Sequence, residues 1–92
     1  MIYVIKQFRN NNEFLTSGSN AGYFLDFKEA EKRVLNNSLD LCENGWYEYT
    51  AIMQVNEGLY NTATNEIWYK WNKTQYEVCE RPKEFDGLAF TI

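Results

Sequence analysis

The sequence predicts an α+β fold in which one helix is packed on an antiparallel sheet of four to five strands, in the order β-(β)-α-β-β-β. Three observations predict it. Residues 46–55 and 66–72 alternate with period two, as strands do. Phe27, Ala30, Val34 and Leu41 recur at spacings of three, four and seven, as on one helix face. Clusters of Asn and Gly separate these segments, and a helix followed by three strands in succession suits a helix laid across an antiparallel meander.

The first strand spans residues 2–8, where Ile2, Val4 and Phe8 lie on one side and Tyr3 and Ile5 on the other. Apolar residues on both sides mark a central strand covered on much of both faces. Asn10-Asn11-Asn12 is a turn signal, because Asn tolerates the left-handed region and bonds its own backbone. The second strand runs either through residues 13–16 or through residues 22–25, with Ser17-Gly18-Ser19-Asn20 as a loop between them.

Asp26-Phe27-Lys28-Glu29 reads as a capping box that opens the helix. Leu35 and Cys42 flank its apolar face, and Lys28, Glu31, Lys32 and Asp40 turn outward. Asn44-Gly45 supplies the left-handed stop, and the weak helix formers Asn36-Asn37-Ser38 mark a place where the helix breaks in two. Beyond it, Tyr47, Tyr49, Ala51, Met53 and Val55 alternate with Trp46, Glu48, Thr50, Ile52 and Gln54. Ile67, Tyr69 and Trp71 alternate with Glu66, Trp68 and Lys70. Tyr47, Tyr49, Tyr69 and Trp71 are expected to share the apolar side as core. A further strand occupies residues 75–80, Pro82 ends it by removing a ladder donor, and residues 88–92 add a last edge strand.

Composition bounds the function. Ninety-two residues with 45% hydrophobic and 24% charged content suit one folded domain. The net charge of −4 and pI of about 4.7 give no basic footprint for nucleic acid. No segment reaches the roughly 20 apolar residues that span a bilayer, and the N-terminus has no leader pattern, so the expectation is a cytoplasmic protein away from membranes. Cys42 and Cys79 lack any metal-ligand spacing and are expected to be free thiols.

The chain contains no His, which removes the commonest general base. Glu48, Glu57, Glu66 and Glu77 are candidates for a carboxylate pair, weighed against the commoner fate of strand glutamates, solvation. No EF-hand loop or phosphate-cradling glycine pattern is present, so no metal or cofactor is expected. Aromatics make up 17% of the residues, and Trp68 stands out because it alternates with Glu66 and Lys70. An exposed Trp among charges has the composition of an interface hot spot. Trp68, Tyr60, Glu48, Ile52, Lys70 and Glu66 are therefore the expected partner-binding patch.

Ile2-Tyr3-Val4-Ile5, Phe27-Lys28-Glu29-Ala30-Glu31-Lys32 and Glu57-Gly58-Leu59-Tyr60 in a Tyr-rich meander resemble the small α+β accessory proteins of phages and prophages of low-GC bacteria. The resemblance is one of style over the whole length, and no functional residue is carried over from it. It implies a non-enzymatic inhibitor or adaptor that blocks a host protein or defence complex, of the anti-CRISPR or wider anti-defence kind, in the host cytoplasm. Two alternatives stand beside it. One is a protein that sequesters a nucleotide signal, with Lys6, Arg33 or Lys70 meeting phosphate. The other is a structural homodimer paired through an open sheet face.

Overall fold

The computed structural model describes residues 1–9, 19–59, 62–87 and 89–90. Its elements are β1 (Ile2–Phe8), β2 (Ser19–Phe24), α1 (Phe27–Leu35), β3 (Tyr49–Val55), β4 (Asn65–Trp71) and β5 (Tyr76–Cys79), followed by a single 3-10 turn at Lys83–Phe85. The five strands form one antiparallel sheet in the order β2-β1-β3-β4-β5. The predicted α+β class is observed, with β1 an interior strand between β2 and β3, as its two-sided apolar pattern requires.

Helix α1 starts where the capping residues place it. Asp26 is in extended conformation and its carboxylate accepts the Glu29 amide at 3.2 Å, which satisfies one of the four orphan donors of the first turn. The helix ends at Leu35, short of the predicted Leu41. Asn37, Leu39, Asp40, Glu43, Asn44 and Gly45 all adopt positive φ, so residues 36–46 form a chain of turns in which weak helix formers give way to left-handed backbone. Leu41 and the buried Cys42 still reach the core they were expected to join, but on these turns and not on a helix.

On one face of the sheet, Ala30 and Val34 of α1 pack with Cys42 against Ile5, Ile52, Tyr69 and Tyr76. Glu31, predicted to point outward, accepts the Tyr69 hydroxyl at 2.7 Å. Tyr76 donates its hydroxyl to the Tyr47 carbonyl at 2.7 Å. Both phenols are thus buried as satisfied donors.

The opposite face has its own core of Phe8, Tyr49, Ala51, Met53 and Trp68, closed by Phe85 and Phe90. The C-terminal segment is therefore the cover that the helix cannot provide. Arg81 fastens it, with Nη1 at 3.1 Å from Glu66 Oε1, Nη2 donating to the Phe85 carbonyl and the guanidinium 5.2 Å from the Phe90 ring. The Phe90 carbonyl accepts the Ala63 amide at 3.2 Å. Ala89 and Phe90 are not part of a strand, and the rest of the predicted 88–92 edge strand lies outside the described residues. The same holds for the alternative strand at 13–16, whereas Ser19 and Asn20, expected in a loop, begin β2.

Register corrects the expectation that Tyr49, Tyr69 and Trp71 share a side. Tyr49 lies opposite Lys70 and Thr50 opposite Tyr69. Since side chains alternate across a strand, Tyr49 faces the C-terminal cover with Trp68 while Tyr69 and Trp71 face α1.

Candidate functional site

The structure disperses the expected Trp68 patch. Trp68 is only 2% exposed, packed on Phe8 at 5.1 Å and Phe85 at 5.1 Å in a triangle of rings, with its indole N–H donating to Glu66 Oε1 at 2.9 Å. Ile52 is 1% exposed and lies on the opposite side of the sheet, under α1. Glu66 is occupied by Arg81 as well as by Trp68, and Glu48 by Lys70 at 3.7 Å. Lys70 keeps an exposed position and also lies 6.0 Å from the Tyr49 ring. Tyr60 lies outside the described residues. The charges around Trp68 are the rim of a covered core and not the surround of an exposed anchor.

The candidate carboxylate pair is likewise not assembled from Glu48, Glu66 and Glu77, because each has its own partner: Lys70, Arg81 and the Asn72 amide, respectively. The thiols lie on opposite faces of the sheet, Cys42 in the α1 core and Cys79 against the Trp68 core, and both are free. Burial pushes the Cys79 thiol up, with the Lys70 charge opposing, which lowers the thiolate fraction a nucleophile requires. Among the described residues no group of three or more Cys, Asp or Glu side chains is placed to hold a metal. Nor, among the described residues, is any helix long and apolar enough to cross a membrane.

An open concavity lies elsewhere. A groove of about 480 Å³ is lined by Ile2 and Val4 of β1, residues 20–23 of β2, and Val55 with the following turn at residues 56–58. Pairing puts these elements together: Ile2 sits opposite Val55 and Val4 opposite Tyr23. Its volume falls within the range of small-molecule pockets, and its walls combine aliphatic and aromatic carbon with a few polar groups, Asn20, Asn56 and Glu57.

Lys6 stands behind the Asn20 wall. It is buried, its ammonium donates to Asn20 Oδ1 at 3.1 Å, and that burial lowers its pKa. Asn20 thereby links a desolvated cation to the groove.

Large apolar side chains gather at the same end of the sheet. Tyr23 is 67% exposed, Leu25 75% and Leu59 86%, and Met1 is exposed with them. Tyr23 lines the groove, Leu25 follows the end of β2 and Leu59 adjoins the groove residue Gly58. Sequence reasoning did not single out these residues. One signal was available: Tyr23-Phe24-Leu25 are consecutive apolar residues at a strand end, and a strand with one covered face cannot bury all three. The counterpart at the other end of the sheet is Trp46, exposed and capped by the Arg9 guanidinium at 4.1 Å.

No protein-family model, no curated protein and no solved structure matches this chain.

Proposed function

We propose that the protein acts without catalysis, by stoichiometric contact with another protein, through the end of the sheet that carries the groove and the exposed Met1, Tyr23, Leu25 and Leu59. The clustering of exposed apolar side chains around that concavity is the observation that carries this reading. Large apolar residues scattered singly over a surface need no explanation, but several around one cavity are the composition of a contact surface. A side chain of the partner fills the groove, and Tyr23 and Leu59 pack around it. The biological setting we propose is that of a phage accessory protein that occupies a host protein or defence complex, in line with the sequence style. The test is binding of a candidate host complex by the purified chain: Leu59→Glu and Tyr23→Ala lose it, and Val78→Glu, a charge placed on the distant strand β5, does not.

The groove volume and the Lys6–Asn20 pair support one second reading, sequestration of a small anionic ligand such as a nucleotide. It requires that a nucleotide raise the melting temperature of the isolated chain, and that Lys6→Met abolish the shift.

A further inference from the structure

The last of the turns between α1 and β3 carries the sole Asn-Gly pair of the sequence, Asn44-Gly45. The Trp46 amide donates to the Glu43 carbonyl at 3.1 Å, and Asn44 and Gly45 between them have φ of 59° and 86°. Two successive positive φ values under such a bond make this a type I′ turn. Both central residues are exposed, and the Asn44 carboxamide has no hydrogen-bond partner among the described residues.

Other asparagines in turns are held. Asn37 shares the positive φ, but its Oδ1 accepts the Cys42 amide at 2.8 Å. It is also followed by Ser38, whose Cβ screens the next backbone nitrogen. Asn72 Oδ1 accepts the amides of Thr74 at 2.9 Å and Gln75 at 2.8 Å, while its Nδ2 donates to Glu77. Asn44 alone combines a free carboxamide, an exposed turn and a following residue without a side chain.

We propose that Asn44 is a site of spontaneous modification, converted through a succinimide to a mixture of aspartate and isoaspartate. The Gly45 nitrogen loses its proton to hydroxide and attacks Asn44 Cγ, and the tetrahedral adduct expels Nδ2 as ammonia. Water then opens the five-membered ring at either carbonyl. Bringing the nitrogen to Cγ requires the peptide between the two residues to turn over, and the I′ turn is prepared for that. The flip gives a II′ turn, in which φ of the first central residue stays near about +60° while ψ moves from about +30° to about −120°. Gly45 has no Cβ to oppose its own change of φ. The Trp46–Glu43 bond joins the outer residues and is kept. The Asn44 amide bond to Asp40 Oδ1, 3.4 Å, lies on the other side of the pivot and is kept as well. Only the Gly45 N–H bond to Cys42 Sγ, 3.3 Å, is given up, and sulfur is a weak acceptor. The product has one more negative charge than the parent. As isoaspartate it also has an extra backbone carbon in the turn that leads to Tyr47, whose carbonyl holds the Tyr76 hydroxyl.

The test is incubation of the full folded chain at mildly alkaline pH, with peptide mapping by mass spectrometry and methyl labelling by an isoaspartyl methyltransferase. The expected result is the mass gain of amide-to-acid conversion at residue 44 before any other asparagine, with isoaspartate in the product. The rate should rise with pH, because the reaction begins with loss of the amide proton. It should be of the same order in the native chain as in urea, since one peptide flip is all that the fold has to permit. Asn44→Gln should abolish the methyl labelling of this segment, because the glutamine side chain would have to close a six-membered ring. Conversion of another asparagine first overturns the proposal, as does methyl labelling that survives Asn44→Gln. It is equally overturned if residue 44 stays intact in the native chain while it converts in urea.

Discussion

Replacing Trp68 by alanine separates a core role from a contact role more sharply than any other single change. The indole is 2% exposed and stacks on Phe8 and Phe85, both at 5.1 Å between centroids. Truncating a buried Trp costs about 3–5 kcal/mol, and its contacts with two aromatic rings put this site toward the upper half of that range. A further consequence is that Glu66 loses the indole N–H as a donor and keeps only Arg81. A domain of 92 residues has a net stability of about 5–14 kcal/mol, so the variant should lose a third or more of it. At about 4–8 °C per kcal/mol for a chain of this size, the melting temperature should fall by about 16–40 °C. Urea titration followed by far-ultraviolet circular dichroism measures the loss without depending on Trp fluorescence, and the unchanged slope of the transition checks that only stability moved. The exposed Trp46, truncated in the same way, should lose about 1 kcal/mol or less, the value of its cation–π contact with Arg9. If Trp68→Ala keeps wild-type stability within about 1 kcal/mol, the assignment of Trp68 to a core under the C-terminal segment is refuted.

Asp26→Ala removes the N-cap of α1 and should cost about 1 kcal/mol by the same titration, with Asp26→Asn recovering most of it. Tyr76 is pushed up to about 12 by burial, with Thr50 and Gln7 opposing and the Cys42 and Asp40 charges adding, and burial plus the Glu31 carboxylate raises Tyr69 as well. Raised phenol pKa values stabilise the folded chain fully below the ordinary value of 10 and lose that contribution as pH climbs above it, so the urea midpoint should hold to about pH 9.5 and fall between pH 10 and 12. A midpoint that is flat across that window contradicts the burial of both phenols. Lys6→Met exchanges a desolvated cation for an apolar chain of similar length, and should leave stability at pH 7 unchanged or raise it by about 1 kcal/mol; a loss of more than that would mean that Lys6 has a structural partner stronger than Asn20. Both thiols should resist alkylation in the native state, Cys42 through burial and Cys79 through its raised pKa, and both should react in urea, as a thiol titration would read.

Local chemistry was the part of the fold that the sequence made legible. Asp26 as cap, the period-two runs of β3 and β4 and the proline after β5 each act over a few residues, and each appears close to where it was expected. What was not legible depends on pairing between distant segments. Period two assigns Tyr49 and Tyr69 to a side of their own strands, but the register that sets Thr50 opposite Tyr69 decides which sides coincide. Trp68 looked wet because Glu66 and Lys70 flank it. Its burial comes from Phe85 and Phe90, and the Glu66 charge is answered by Arg81, all delivered by a segment without strand or helix periodicity of its own. The groove was hidden for the same reason, since Ile2, Tyr23 and Val55 meet only through the β2-β1-β3 order. Ser19 and Asn20 read as a loop, yet they begin an edge strand, where few side chains have to be buried.

The central claim is that the groove end of the sheet is a protein contact surface, and the direct measurement is quantitative binding to a candidate host complex by wild-type chain and by three variants of known fold integrity. The account predicts a stoichiometric complex for wild type and Val78→Glu, and loss of at least tenfold in affinity, or about 1.4 kcal/mol, for Tyr23→Ala and Leu59→Glu. Binding that survives both groove variants, or that is lost with Val78→Glu, would contradict it.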